Sequence, residues 1–100
     1  MLAEAFRRLV EAYQPELIYL FGSMARGDGG EDSDFDLLVV VSDDAAPEQR
    51  RSHRAYDALW GLGVAADVLV WSHSAFEARK HLRASLPGTV LREGKLLYAS

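Results

Sequence analysis

Cysteine is absent from this 100-residue chain, which excludes a disulfide scaffold, a thiolate metal site and a cysteine nucleophile. Long apolar runs are lacking too, none approaching the roughly 18 residues that span a bilayer. Basic residues are in deficit: 11 Lys and Arg face 15 Asp and Glu, for a formal net charge of -4. That balance disfavours direct nucleic-acid binding, which needs a basic surplus or a basic face. A nucleotide is not excluded, because metal ions can meet its charge. The first eight residues mix acids and bases and lack the charged-then-apolar order of a signal peptide. The expectation is a cytoplasmic protein with no membrane partner. Repeats, linkers and low-complexity stretches are also missing.

What remains is an ordinary globular composition, 49% apolar and 26% charged with mixed signs. At 11.1 kDa it makes one domain over residues 1–100. Leu2, Ala5, Phe6, Leu9, Val10 and Tyr13 recur at helical spacing and predict an amphipathic helix ending before Pro15. Glu16 to Phe21 reads as a buried strand closed by Gly22-Ser23, followed by a helical turn from Ser23 to Arg26 and the loop Gly27-Asp28-Gly29-Gly30. Asp36 to Val41 is a second strand, too continuously apolar to be half exposed. Pro47 suits the first turn of a helix running through Trp60 and stopped by Gly61 and Gly63. Val64 to Trp71 is a third strand. Ser72 or Ser74 caps a further helix to about Ser85, Pro87-Gly88 breaks it, and Thr89 to Glu93 forms a last turn before Lys95 to Tyr98. The fold class is α/β (α+β): a small mixed sheet of three to four strands with helices packed on it. Whether the first two strands run antiparallel or are joined by a crossover stays open.

The chemistry lies in acids placed inside apolar strands. Asp34 and Asp36 share a strand face at roughly 6.5 to 7 Å spacing. Two carboxylates that close repel each other unless a cation bridges them. All-oxygen donors favour Mg²⁺ or Mn²⁺ over zinc. Asp67 is a lone acid in Ala66-Asp67-Val68-Leu69-Val70, expensive without a partner. If its strand lies beside Asp36 to Val41, three carboxylates form one cluster, the arrangement used for in-line phosphoryl or nucleotidyl transfer. Gly22 admits close backbone approach, Ser23 offers a hydroxyl and helix-start amides to a phosphate, and Arg26 is placed to reach a phosphate or brace the loop.

A Gly-Ser pair, ten residues, and then Asp34-Phe35-Asp36 resembles the signature of the DNA polymerase β-like nucleotidyltransferases. Within them the chain is most similar to the minimal nucleotidyltransferases, the MntA-like antitoxins encoded beside HEPN-domain partners. The likeness extends to Asp67 on a later strand and to the Arg92-Glu93-Gly94 to Leu97-Tyr98 ending. It implies that Asp34, Asp36 and Asp67 are catalytic and hold metal, that Gly22 and Ser23 hold the nucleoside triphosphate, and that a HEPN-type ribonuclease toxin supplies a tyrosine hydroxyl to accept AMP from ATP. Two alternatives stay open: a non-catalytic module of this fold that masks its partner, and nucleotidyl transfer to a small molecule.

Other features have plainer readings. Arg50, Arg51, His53 and Arg54 read as a solvated face opposite the inward stripe Ala55, Ala58, Leu59 and Leu62, and Arg79, Lys80, His81 and Arg83 likewise. His53, His73 and His81 lack metal-ligand spacing. Trp60 and Trp71 are expected as core or interface anchors.

Overall fold

The computed structural model describes residues 2–22, 35–45, 53–61 and 66–100. Among them are helix α1 (Leu2–Tyr13), strands β1 (Leu17–Phe21) and β2 (Phe35–Val41), helix α2 (His53–Leu59), strand β3 (Ala66–Ser72), helices α3 (His73–Arg79) and α4 (Leu86–Glu93), and strand β4 (Lys95–Ala99). The strands form one mixed sheet in the order β3-β2-β1-β4. β1 is antiparallel to both β2 and β4, and β2 is parallel to β3. The return between the first two strands is therefore antiparallel, and α2 lies in the crossover between β2 and β3. The turn expected from Ser23 to Arg26, the glycine loop after it and the start of the helix at Pro47 lie outside the described residues.

β2 is the strand on which the layers close. Leu37 to Val41 are all buried, which requires cover on both faces. Leu37, Val39 and Val41 pack with Ala5, Leu9 and Tyr13 of α1, Ala55 and Leu59 of α2, and Val68. Leu38 and Val40 pack on the other side with Phe76 of α3 and Val90 of α4, joined by Leu17, Tyr19, Phe21 and Trp71. Tyr19 stacks on Phe76 with centroids 5.8 Å apart. The inward stripe anticipated for α2 is present in Ala55 and Leu59. Arg8 ties α1 to the end of α2, donating to the carbonyls of Ala58 and Trp60, both at 3.3 Å. Trp60 itself is 80% exposed and is no core anchor. Trp71 is half-buried, with the Arg79 guanidinium 6.0 Å from its ring centre.

One correction concerns the last third of the chain. The helix after β3 ends at Arg79, not near Ser85, and Pro87-Gly88 opens the next helix rather than breaking one. Ser85 is its N-cap, its Oγ accepting from Gly88 N at 3.1 Å. Proline in the first turn forfeits no intrahelical bond, so a Pro-Gly pair that reads as a turn in isolation is compatible with a helix start once a serine caps it. The segment expected from Lys95 is the fourth strand of the sheet, β4, an exposed strand held by pairing with β1. Gly94 lets α4 and β1 meet: a Cβ there would stand 2.6 Å from Val90 O and 2.9 Å from Leu20 O.

Ser72 caps α3, accepting from Ala75 N at 3.3 Å, while Ser74 donates through its N and Oγ to Asp43 Oδ1 at 2.9 and 2.7 Å. Beside it His73 Nδ1 meets Glu16 Oε1 at 2.7 Å. The hydrogen bond and charge of Glu16, then the charges of Glu77 and Asp43, hold the His73 pKa above its ordinary 6.5.

Two tests follow from these contacts. The protonated imidazole is favoured in the folded chain, so its contribution is complete below about pH 6.5 and is lost as pH rises through the higher folded value. Melting temperature should decline across that window in the parent and less in Glu16→Gln, read by thermal denaturation at several pH values. At Gly88 a Cβ would collide with Leu82 O and stand 3.1 Å from Leu82 C. Gly88→Ala should cost about 1–3 kcal/mol despite the better helix propensity of alanine, measured by urea denaturation.

Candidate active site

The site is assembled by strand register. Phe21, the last residue of β1, pairs with Asp36, the second residue of β2. Asp36 in turn pairs with Asp67, the second residue of β3. The end of β1 and the starts of β2 and β3 therefore lie side by side at one end of the sheet.

Side chains alternate along a strand, so Asp36 points to the same face as Leu38 and Val40, the face covered further along by α3 and α4. In-register neighbours share a face, which puts Asp67 beside Asp36 on strands about 4.8 Å apart. Asp36 is half-buried and Asp67 is exposed. The expectation that Asp67 would be a costly buried acid is thus corrected. β3 is an outer strand, and a carboxylate at its start keeps its water.

Gly22 closes the other flank. Its φ is +77°, a conformation that strains any residue with a Cβ. A Cβ there would also overlap Asp36 Oδ2 and stand 3.1 Å from Asp36 Cγ. The glycine that sequence reasoning assigned to a phosphate cradle is thus packed directly against one of the predicted carboxylates. No motif spacing reveals this contact; the antiparallel register of β1 and β2 produces it.

The structure brings Gly22, Asp36 and Asp67 together. Ser23, Arg26 and Asp34, the other predicted site residues, lie outside the described residues. Among the described residues no group of three His, Cys, Asp or Glu side chains is placed to hold a metal ion. Asp36 and Asp67 offer only carboxylate oxygens, a donor set that fits a hard divalent cation. No helix of the described residues is long and apolar enough to cross a membrane.

The family described as nucleotidyltransferase domain matches residues 1–96, and the chain belongs to that family. It is a nucleotidyltransferase by class. A protein of Methanocaldococcus jannaschii named "Putative protein adenylyltransferase" is 37% identical over 81 residues, covering 81% of this chain and 76% of the relative. A crystal structure of a toxin-antitoxin with AMP-PNP superposes with a TM-score of 0.63 at 26% identity, covering 96% of this chain and 72% of that one. The fold is also shared with the complex of tri-AMPylated HEPN toxin and MNT antitoxin from Shewanella oneidensis, at a TM-score of 0.56 and 21% identity, over 100% of this chain and 74% of that one.

The packing of Gly22 on Asp36 predicts coupled stabilities. Gly22→Ala should destabilise by about 1 kcal/mol for the positive φ alone, plus the overlap with the carboxylate. Asp36→Ala removes the overlapping atoms, so the two changes together should fall short of their sum by more than about 0.5 kcal/mol. A double-mutant cycle in urea reads this; strict additivity would mean that the contact is not made.

Proposed function

We propose that this chain transfers AMP from ATP, in a Mg²⁺-dependent reaction, to a tyrosine hydroxyl of a HEPN-type toxin partner and so acts as its antitoxin. The observation that carries the proposal is the in-register pairing of Asp36 with Asp67 next to Gly22, in a chain that belongs to the nucleotidyltransferase family. The adenylyltransferase name of the archaeal relative supports protein as the acceptor. The neighbour with AMP-PNP supports ATP as donor, and the AMPylated complex supports a HEPN partner. The reaction belongs in the cytoplasm, and residues 1–100 act as one domain.

In this reading Gly22 and Ser23, with Arg26, hold the triphosphate, and Asp34, Asp36 and Asp67 hold Mg²⁺, with Mn²⁺ as a substitute. Bound metal would polarise the α-phosphate and neutralise the leaving pyrophosphate. The acceptor oxygen attacks the α-phosphorus, a new P–O bond forms, the bond to the bridging oxygen before the β-phosphorus breaks, and pyrophosphate departs. Half-buried Asp36 is fixed by its packing on Gly22, whereas exposed Asp67 is open to an incoming acceptor and placed to receive its proton.

The test is intact mass spectrometry of a HEPN partner incubated with this chain, ATP and Mg²⁺, with and without EDTA. The expected outcome is a metal-dependent gain of one or more AMP units on a tyrosine. Asp36→Asn and Asp67→Asn should each slow the gain by at least about 100-fold. A stable complex that silences the toxin with no gain in mass would establish masking instead, and protection would then survive both asparagine variants.

A further inference from the structure

Among the described residues the sheet has two outer strands, β3 and β4, and they are unlike each other. β4 carries Lys95 at its start, and its register with β1 shifts between Ile18 and Tyr19. A lysine and an irregularity are the usual means of blunting an edge against further pairing. β3 has neither. Its seven residues, Ala66 to Ser72, pair with β2 in one unbroken register, and its single charged side chain is Asp67. Among the described residues β2 is its only strand neighbour.

Leu69 is two residues beyond Asp67, on the same face, and is 40% exposed. Further along that face Trp71 is half-buried near the Arg79 guanidinium. A regular edge with an exposed leucine, and no charge beyond Asp67 itself, thus begins at one of the two paired carboxylates. The other side of Asp36 is taken by Gly22 and the end of β1. On the function proposed above, with the triphosphate held at Gly22, the β3 side of Asp36 is the flank left to the acceptor among the described residues.

Taken together, we infer that the acceptor polypeptide docks as an extended segment along the outer edge of β3, adding a fifth strand to the sheet, with Leu69 as its specificity contact. This rests on the proposed transferase reading and adds a substrate rule to it. In strand addition the backbone supplies affinity and alternate side chains supply selectivity. The acceptor residue facing Asp67 is the tyrosine, and the residue facing Leu69 lies two positions away on the same face. The preferred acceptor therefore carries an apolar side chain two residues from the modified tyrosine, before or after it according to strand direction.

The experiment uses the full chain with Mg²⁺, ATP labelled at the α-phosphate, and synthetic peptides bearing one tyrosine with Leu or Asp two positions to either side. Peptides with Leu on one side should be modified with at least about tenfold higher kcat/KM than those with Asp there, the value of one apolar contact. In Leu69→Asp the KM for the leucine peptide should rise about tenfold while kcat and ATP affinity hold. Leu69→Thr, which keeps strand propensity, should show the same split, and circular dichroism checks the fold of both. Modification that ignores the position two residues away, or that Leu69→Asp leaves unchanged, overturns edge docking and leaves the transferase reading standing. So does modification of a whole partner protein when no peptide is modified. If neither peptides nor the whole partner gain AMP, the transferase reading itself falls and this inference falls with it.

Discussion

The parallel register between β2 and β3 is the constraint on which the site depends, and the core enforces it. Val68 and Val70 turn inward toward α1 and α2, so Asp67 and Leu69 turn to the other face. A slip of one residue would send Asp67 into the apolar layer and Val68 out of it, an exchange no small core tolerates. Asp36 is locked in the same way, one residue ahead of fully buried Leu37. The pairing of two acids is therefore imposed by the hydrophobic alternation around them. The result is a pair of carboxylates side by side, a donor set that suits a hard divalent cation.

The two carboxylates sit in unlike surroundings even though they are neighbours. Asp36 is on a strand flanked on both sides and backed by a glycine that has no room for a Cβ. Asp67 is on an outer strand and wet. Such asymmetry separates a rigid position from an accessible one within a single strand spacing. It arises from strand order alone, since both residues stand second in their strands.

Much of this was legible from residue patterns. The 3.6-residue stripe of α1 and the apolar runs of β1, β2 and β3 gave those elements to within two residues, because each buries a face that the pattern must reflect. Pairing was not legible. Nothing local distinguishes a crossover from a hairpin between Phe21 and Phe35, and the approach of Asp67 to Asp36 was conditional on β3 lying beside β2. The exposure of Asp67 follows from β3 being an edge, a property of the sheet and not of the sequence around Asp67. The segment from Lys95 was set apart but its strand character stayed open because Lys95 and Leu96 are exposed, and α4 was missed because a Pro-Gly pair signals a turn unless the serine ahead of it caps a helix. At the site, Gly22 was recognised for its conformational freedom, but its contact with Asp36 belongs to the hairpin register.

β1 also bears on how the chain reaches this state. One of its partners, β2, is close in sequence, but Leu17 pairs with Ala99, which closes a loop of about 80 residues. Contacts of such separation are entropically late. The βαβ unit that carries both aspartates needs only contacts of shorter range, so closing it costs less chain entropy than sealing the β1–β4 edge. Without β4, β1 would present an unpaired apolar side, so the distant end of the chain is what protects this strand from pairing with other copies.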